Sequence, residues 1–507
     1  MTEALWVAVL VQMLMGAFDT LYHHEATERL AWRPGQQREL QLHGVRNLLY
    51  AVLFATLGFA EPHGGWALAL LALLAVEVGI TLWDFVEEDR TRDLPASERV
   101  THTLLTLNYG VILAMLVPWL WRGATLPSTL LPATHGMLGG LCAIAAFGVI
   151  ASGLRDLEAA VRCRRLRTIP AADLAAALPG RRTILVTGGT GFVGRRLIAA
   201  LQAAGHEAIV LSRKPAPAKG VGEAALVRTV TTLDTIGAHE PIDAVVNLAG
   251  EPLSNGLWTF AKRRKILASR VQVTREVLRL IARLERKPEV LVSGSAVGWY
   301  GLRGDELLGE GAGGQACFSR RVCLAWEREA RRAEALGVRV VRLRIGLVLD
   351  RDGGMLARLL MPFEYGFGGR IGHGRQWMSW IHRDDLVRLI VHCLARPALR
   401  GPVNATAPYP ATNAQVTAAL GAALGRPAVV PLPAAPLRFA LGGFAEELLL
   451  GGQRVLPAAA LGSGFTFTFP DIERALRAIC GAKPPTRTAS SLARPTLSEE
   501  ISGPMLR

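Results

Sequence analysis

Lysine, cysteine and charged residues in general are scarce in this chain of 507 residues. Only 20% of the residues are charged and 50% are hydrophobic, a composition that excludes a disordered or fibrous protein. Six scattered cysteines without a C-x-x-C pair indicate free thiols, not a disulfide framework or a zinc site. No lysine precedes Lys214 or lies between Lys287 and Lys483, so the net charge of +15 comes mostly from arginine. Because no basic stripe with interleaved aromatic residues occurs, we expect no nucleic-acid partner.

Long apolar runs are concentrated in the first third of the chain. They lie near residues 4–22, 45–60, 64–83, 103–121 and 130–152. Several reach the roughly 20 residues that a bilayer-spanning helix needs. The first run lacks the basic start and the cleavage site of a signal peptide, so we expect it to be retained. The sequence therefore predicts an α-helical membrane bundle over residues 1–155, with about five helices in contact with the lipid bilayer.

The arginines between these runs predict the orientation of the bundle. Segments 23–44 and 84–99 and the residues after 154 are rich in arginine, whereas the loops on the opposite side carry only Arg122. Positively charged loops stay on the cytoplasmic side of a membrane. We therefore expect a multi-pass protein of the cytoplasmic (inner) membrane, with its N-terminus outside and everything after residue 155 in the cytoplasm.

A glycine-rich turn opens the second part of the chain. Residues 181–187 form a short β-branched run, and a helical stretch to about Ala204 follows the turn. A strand, a glycine-rich turn and a helix in this order are typical of a dinucleotide-binding site, in which the helix N-terminus faces the pyrophosphate. The predicted cofactor-binding residues of the turn are Gly188, Thr190, Gly191, Phe192, Val193 and Gly194.

The second predicted strand, 207–211, ends in Ser212, Arg213 and Lys214. A carboxylate at this point would bind the ribose hydroxyls of NAD, whereas cationic side chains suit the 2′-phosphate of NADP. The sequence therefore favours NADP over NAD, with Arg213 as the main phosphate ligand and Lys214 beside it. The alternative is a solvated loop after a strand.

Further apolar runs at 243–248, 289–293 and 338–345 alternate with amphipathic helices, which predicts a doubly wound parallel sheet of the Rossmann type. In such sheets, ligands bind beyond the carboxyl ends of the strands. The candidate cofactor-binding residues at these ends are Asn247, Ala249, Gly250 and Ser293. The predicted division is a linker over 156–180, a Rossmann domain over 181–425, a small C-terminal substrate-side domain over 426–480 and a disordered tail over 481–507.

Four segments resemble the extended short-chain dehydrogenase/reductase superfamily and, more narrowly, its atypical epimerase-like branch, often labelled nucleoside-diphosphate-sugar epimerase. They are residues 187–194, 247–250, 295–301 and 380–385. Residues 431–476 are similar to the small C-terminal domain of unknown function that accompanies this branch. The resemblance covers roughly residues 181–480 and implies a cleft near Ser295, Tyr300, Arg344 and residues 380–385. The membrane part is not in the usual family pattern.

The chain lacks the Tyr-x-x-x-Lys pair on which proton transfer in this superfamily depends. After the cofactor turn the tyrosines are Tyr300, Tyr365 and Tyr409, and none has a lysine four positions later. The remaining catalytic candidates are Ser295, Tyr300 and His382. Each also has a structural alternative: Ser295 could form a turn or cap, Tyr300 could pack beside the nicotinamide, and His382 could hold its loop in place.

The membrane part carries carboxylate and histidine pairs four residues apart, which places both groups on one helical face. The predicted metal ligands are Asp19, His23, His43, Glu98 and His102. Converging histidines and carboxylates suit iron, manganese or zinc, although helix ends also use such groups as caps.

The sequence predicts a membrane-anchored, NADP-binding oxidoreductase or epimerase-like enzyme whose substrate is small or lipid-linked. Two alternatives remain: a non-catalytic, NADP-sensing module that regulates the membrane part, and electron delivery from NADPH to a metal in the bundle. Absence of the Tyr-x-x-x-Lys pair favours the sensing module, whereas Ser295 and the substrate-side segment 372–385 favour an enzyme.

Overall fold

The computed structural model describes residues 2–166, 168–213 and 226–483. Its N-terminal part is a bundle of helices, five of which are long and apolar enough to cross a membrane. They are α1 (Glu3–Phe18), α2 (Gln37–Phe59), α3 (Gly65–Thr91), α4 (Ala96–Ala124) and α5 (Met137–Cys163). Large apolar side chains such as Leu107 and Phe147 are exposed on the outside of the bundle. Such a surface suits lipid better than water.

Each helix from α2 to α5 extends beyond its predicted apolar run, and α5 continues to Cys163, past the predicted boundary at residue 155. The added turns of α2, α3 and α4 carry charged groups that are buried against one another, including Glu39, Glu88 and Glu98. Hydropathy marks only the apolar middle of a helix, so it misses polar ends that are buried by mutual pairing.

Helices α2 and α5 approach each other closely through glycines. A Cβ on Gly44 would lie 2.6 Å from a side-chain atom of Leu157, and one on Gly58 would lie 2.7 Å from the Cβ of Cys142. Small residues of this kind let helix backbones meet in membrane bundles. The two helices therefore form the central pair of the bundle.

The connection between α1 and α2 has an unusual backbone. Helix α1 continues as a π-helix over Asp19–Glu28, and a short turn over Leu30–Trp32 follows. Between them, Arg29 adopts a left-handed conformation with φ of +56°. Such a conformation is costly for a residue other than glycine and persists only where the surroundings hold it.

The second part is built on a seven-stranded, wholly parallel sheet. Its strands are β1 (Thr183–Thr187), β2 (Glu207–Leu211), β3 (Val227–Val230), β4 (Ala244–Asn247), β5 (Val290–Ala296), β6 (Arg339–Ile345) and β7 (Gly401–Ala405). Their order in space is β7-β6-β5-β4-β1-β2-β3. Strands β2 and β3 are added on one side of β1 and strands β4 to β7 on the other, so the strand order reverses between β1 and β4. Rossmann-type sheets bind ligands at this switch point. The predicted doubly wound parallel sheet is confirmed.

Helices of the second part pack on the two faces of this sheet or on the segments around it. They are α6 (Phe192–Ala203), α7 (Phe260–Arg283), α8 (Phe318–Arg331), α9 (Gly354–Glu364), α10 (Arg383–Ala395), α11 (Asn413–Leu424), α12 (Ala434–Leu441) and α13 (Ile472–Cys480). Neighbouring residues of β1 pack on opposite faces of the sheet. Ile184 lies in a hydrophobic cluster with Leu197 of α6, and Leu185 lies in another with Ile281 of α7. Strand β1 is therefore apolar on both sides.

Short elements complete the chain. The helical turns are Ala171–Ala175, Leu233–Thr235, Val297–Tyr300, Arg332–Leu336, Gly443–Ala445, Glu446–Leu450 and Ala458–Gly462. The paired short strands are Ala60–Pro62 with Leu130–Pro132, Leu347–Leu349 with Trp380–His382, Trp377–Met378 with Ala411–Thr412, and Leu307–Leu308 with Arg454–Val455. The first pair joins the two loops at the end of the bundle away from the sheet.

The bundle and the sheet domain share a hydrophobic cluster. Leu30 and Trp32 from the α1–α2 connection pack in it with Leu360 of α9 and Leu476 of α13. Ion pairs surround this cluster: the Glu364 carboxylate accepts from Arg155 at 3.0 Å and lies 2.8 Å from Arg162. The C-terminal helix is thus part of the junction between the two halves of the molecule.

Candidate functional site

The glycine-rich turn between β1 and α6 has the backbone that a bound dinucleotide requires. Gly188 adopts a left-handed φ of +72°, and a Cβ there would lie 2.8 Å from the carbonyl carbon of Leu248. A Cβ on Gly194 would lie 2.2 Å from the carbonyl oxygen of Gly188. Gly191 is the N-cap of α6 and provides no side-chain cap. The first amide groups of α6 are therefore available to an anionic ligand.

Hydrogen bonds fix the carboxyl ends of β1 and β4 beside this turn. The Thr187 hydroxyl donates to Asn247 Oδ1 at 2.6 Å and accepts from the amide of Ala249 at 3.2 Å. Asn247 in turn donates to the Thr274 hydroxyl of α7 at 2.9 Å. The structure thus brings the predicted residues Asn247, Ala249 and Gly250 next to the glycine-rich turn.

The start of α9 closes over the same turn. A Cβ on Gly353 would lie 2.6 Å from the ring of Phe192, and the Arg383 guanidinium stacks over that ring at 5.2 Å. Phe192 therefore links the cofactor turn to the chain that leads into α9. The turn residues Thr190 and Gly191 are exposed, whereas Gly194 is buried.

Arg213 lies at the carboxyl end of β2, and its side chain is exposed. This is the position from which a side chain can reach the ribose of a dinucleotide held at the β1 turn. Lys214 lies outside the described residues.

The predicted residues Ser295, Tyr300 and Arg344 meet in one buried network. The Ser295 hydroxyl donates to Glu327 Oε1 at 2.8 Å, and Arg344 donates to the same oxygen at 2.9 Å. Arg344 also donates to the Tyr300 hydroxyl at 3.1 Å, and that hydroxyl donates to Asn404 Oδ1 at 2.7 Å. Burial raises the pKa of Tyr300, against the opposing effect of Arg344, so its phenol stays neutral. Ser293 is fully buried within β5 next to this network.

His382 is the N-cap of α10. Its Nδ1 accepts from the amide of Asp384 at 3.1 Å, and its ring stacks on Phe469 at 4.0 Å. Burial lowers the pKa of His382 to about 4, despite the neighbouring Asp384 and Asp385. These contacts give the ring a structural role as a neutral cap.

The start of α8 is covered by aromatic side chains and by the C-terminal region. Phe318 packs edge-on against Trp258, with ring centroids 5.0 Å apart. The Glu447 carboxylate, from the C-terminal region, accepts from the amides of Phe318 and Ser319 at 3.1 and 2.8 Å. The C-terminal region thus caps α8 directly above the expected substrate side of the sheet.

Arg270 is a functional candidate that the sequence did not single out as a site residue. A Cβ on Gly250 would lie 2.9 Å from its guanidinium carbon. The guanidinium stacks on Trp326 at 5.2 Å and donates to the carbonyls of Glu251 and Ile266. Within the described part of the chain it forms no ion pair. Burial lowers its pKa. A half-buried guanidinium without an ion pair beside the switch point suits an anionic ligand.

The predicted metal ligands lie together at the end of the bundle that faces the sheet domain. Asp19 Oδ1 bonds His23 Nδ1 at 2.9 Å, and Asp19 Oδ2 bonds His102 Nε2 at 3.2 Å. Two sets of side chains have ligand atoms within 4.8 Å of one another. These are His24, Glu88, Glu98 and His102, and Glu39, His43 and Glu88. Asp19 and His23 lie outside both sets, whereas His24, Glu39 and Glu88 were missing from the predicted ligands.

Known protein families and proteins resemble the sheet domain and the C-terminal region of this chain. The NAD dependent epimerase/dehydratase family matches residues 184–405, and a domain of unknown function, DUF1731, matches residues 432–479. The epimerase family protein SDR39U1 homolog, chloroplastic, of Arabidopsis thaliana is 39% identical over 302 residues, which are 59% of this chain and 86% of that protein. The epimerase family protein YfhF of Bacillus subtilis is 38% identical over 298 residues, 58% of this chain and 96% of that protein.

A solved structure shows the same likeness. The crystal structure of human epimerase family protein SDR39U1 (isoform 2) with NADPH is 35% identical, has a TM-score of 0.53 and covers 59% of this chain and 99% of that one. The Rossmann-type sheet, the glycine-rich turn and the two matched regions all agree with this relationship. The chain belongs to the SDR39U1-like epimerase family of atypical short-chain dehydrogenases/reductases, with an NAD(P)-dependent epimerase/dehydratase domain followed by DUF1731.

Proposed function

We propose that the chain is a membrane-anchored, NADP(H)-binding protein that acts as an oxidoreductase or epimerase-like enzyme on a small or lipid-linked substrate. The observation that carries the proposal is the glycine-rich turn, in which Gly188 and Gly194 leave no room for a side chain. The human relative whose structure contains NADPH supports the choice of cofactor. A bound nicotinamide would supply hydride transfer, and the chain supplies its binding and orientation.

The binding groups divide by position. The first amides of α6 suit the pyrophosphate, and Arg213 at the end of β2 suits a 2′-phosphate. Arg270 beside Gly250 suits a second anionic group, on the cofactor or on the substrate. Ser293 and Arg344 line the neighbouring strand ends from within the buried network. NADP is favoured over NAD because the β2 end carries arginine where NAD-binding proteins carry a carboxylate.

The bundle supports a lipid-phase substrate. Its outer surface carries exposed apolar side chains, and its sheet-facing end contacts α9, which begins at the cofactor turn. A substrate that partitions into a bilayer would therefore meet the protein next to its cofactor domain.

One observation favours a second candidate, a non-catalytic module that senses NADP(H). The hydroxyls of Ser295 and Tyr300 are bonded within the buried network, and His382 caps a helix. The enzyme and the sensor differ in whether bound NADPH loses its hydride to added lipid-soluble quinones or carbonyl lipids.

The test of the proposal is to measure how tightly NADPH and NADH bind to the full chain in detergent. Binding is monitored by the change in nicotinamide fluorescence. We expect NADPH to bind more tightly, and Arg213→Ala to weaken NADPH binding about tenfold or more with little effect on NADH. The matched control is Arg181→Ala, which removes an exposed arginine just before β1, at the amino ends of the strands and so at the opposite end of β2 from Arg213. Equal affinities for the two cofactors, or equal effects of the two substitutions, would contradict the assignment of Arg213.

A further inference from the structure

Three elements of the bundle place two histidines and two carboxylates at one point. The π-helix carries His24, α3 carries Glu88, and α4 carries Glu98 and His102. All but His102 are buried, and His102 is only slightly exposed. We infer that these four side chains bind a divalent first-row transition metal ion at the end of the bundle that faces the sheet domain. The inference is independent of the cofactor proposal, because no residue is shared.

The distances between donors fit one coordination sphere. His102 Nδ1 lies 3.4 Å from Glu88 Oε2, and His24 Nε2 lies 3.7 Å from Glu98 Oε1. An ion bound at about 2.1 Å from each ligand separates neighbouring donors by about 3 to 3.5 Å and opposite donors by about 4 Å. All four donor atoms lie within 4.8 Å of one another, so binding of one ion would require only small side-chain movements.

Buried donors without partners point into this space. His24 Nε2 and Glu39 Oε2 make no hydrogen bond to any of the described residues, although both residues are at least nine-tenths buried. A buried polar atom that stays unbonded costs about 1 to 3 kcal/mol, so natural proteins rarely leave one without a ligand. Coordination of His24 Nε2 to a metal would satisfy it.

His102 has the environment of a metal-bound imidazole. Its Nδ1 faces Glu88, and its Nε2 bonds the carboxylate of Asp19 at 3.2 Å. Ligand histidines characteristically donate their second ring N–H to a carboxylate, which fixes the ring orientation and raises its basicity. Asp19 therefore acts as a positioning residue, and this explains why it lies outside the set of convergent donors.

With its histidines neutral, as metal ligation requires, the cluster carries more negative than positive charge. Five buried carboxylates are linked by these contacts, and the fixed cations that contact them are Arg46 and Arg92. The five are Asp19, Glu39, Asp84, Glu88 and Glu98. Arg92 alone contacts three of them, but three negative charges remain in excess. A divalent ion offsets most of this excess where burial makes unpaired charge costly.

The donor set selects the class of metal. Imidazole nitrogen and carboxylate oxygen without thiolate suit iron, manganese or zinc. The second set, Glu39, His43 and Glu88, shares Glu88 with the first and stacks His43 on His24 at 4.7 Å. A second ion would be held there, with Glu88 as the bridging carboxylate.

The test is metal content of the full chain, purified in detergent from cells grown with added iron, manganese and zinc. We expect about one to two ions per chain in the unsubstituted protein, with at least a tenfold loss of affinity in Glu98→Gln and His102→Gln. Asp19→Asn should weaken binding roughly tenfold to a hundredfold without abolishing it, as a positioning residue would. Matched controls are His135→Gln and Glu61→Gln, which lie at the opposite end of the bundle and should keep the full metal content.

Two outcomes would overturn the inference. One is an unsubstituted chain that contains no first-row metal and binds neither Mn²⁺, Fe²⁺ nor Zn²⁺ when the ions are added at micromolar concentration; protonated histidines would then offset the carboxylates together with Arg46 and Arg92. The other is Glu98→Gln or His102→Gln with unchanged metal affinity. Direct titration of Mn²⁺ into the unsubstituted chain, followed by electron paramagnetic resonance, decides the matter even if a variant fails to fold.

Discussion

At the scale of single residues, the polar side chains buried along β5 and β6 are bonded mainly to one another. Glu327 accepts from both Ser295 and Arg344, and Tyr300 lies between Arg344 and Asn404. A phenol with a raised pKa and no adjacent lysine cannot act as the base of the superfamily. The network therefore holds the strand ends in place, and proton transfer, where it occurs, needs a group supplied by the substrate or another residue.

His382 provides a prediction on pH dependence. Its folded pKa is about 4, whereas an unfolded histidine has a pKa near 6.5. Between these values the unfolded chain binds more protons, so the free energy of unfolding falls as the pH is lowered from 6.5 towards 4. We expect His382→Asn, which can still cap α10, to remove a pH-dependent term of up to about 3 kcal/mol.

The measurement is the free energy of unfolding of the sheet domain at several pH values in this range. His373→Asn is the control, because His373 is exposed and makes only a local turn contact. If His382→Asn and the unsubstituted chain lose stability equally between pH 6.5 and pH 4, the neutral cap is not the source of the dependence.

The bundle shows why the sequence predicts some ligands and misses others. In an α-helix, residues four apart share a face, which led to the pairs of Asp19 with His23 and of Glu98 with His102. In the π-helix over Asp19–Glu28, residues five apart are aligned, so His24 also turns towards Asp19, at 3.4 Å. π-Helices are rare and have no simple sequence signature, so His24 could not be predicted from spacing.

At the scale of elements, the strands followed the sequence closely. The observed ranges Ala244–Asn247, Val290–Ala296 and Arg339–Ile345 lie within or next to the predicted runs, because a strand covered on both faces is mostly apolar. The cofactor turn was also predictable, because its backbone requires glycine at particular positions and few sequences meet this requirement. The polar helix ends and the docking of α13 depend on contacts between distant segments, which a local pattern does not encode.

Helix α9 connects the two halves of the molecule. It begins at Gly354, beside Phe192 of the cofactor turn, and ends at Glu364, which pairs with Arg155 and Arg162 of α5. The Arg155 side chain also binds Glu25, which follows His24. A rigid helix thus spans from the cofactor turn to the part of the bundle that carries the proposed metal ligands.

We expect Glu364→Gln to weaken this junction by about 3 kcal/mol, or roughly a hundredfold in the docking equilibrium, because two nearly buried guanidinium groups lose their shared partner. The measurement is the rate of limited proteolysis in segment 168–180, which should rise in the variant. Glu158→Gln is the control, since the half-exposed pair of Glu158 with Arg426 should contribute at most about 1 kcal/mol. Equal cleavage rates in the two variants would mean that Glu364 does not hold the junction.

At the scale of the whole molecule, the packing agrees with the predicted arrangement of the loops. The α1–α2 connection docks on the sheet domain through Trp32, whereas the loops before α3 and α5 pair with each other at the far end of the bundle. If the five helices cross a bilayer, the arginine-rich connections and the sheet domain lie on one side and the paired loops on the other. The positive-inside rule then predicts that the sheet domain lies in the cytoplasm, where NADPH is available.

Site-directed labelling tests this orientation. Thr129 is exposed in the loop between α4 and α5, and Asp89 is exposed near the end of α3 that faces the sheet domain. In intact cells, a membrane-impermeant maleimide should label Thr129→Cys but not Asp89→Cys, and permeabilised cells should show both. The unsubstituted chain is the control, because five of its six cysteines are buried and Cys317 lies in the sheet domain. The reverse pattern would place the sheet domain outside, and labelling of both positions in intact cells would mean that the bundle does not separate them across a membrane.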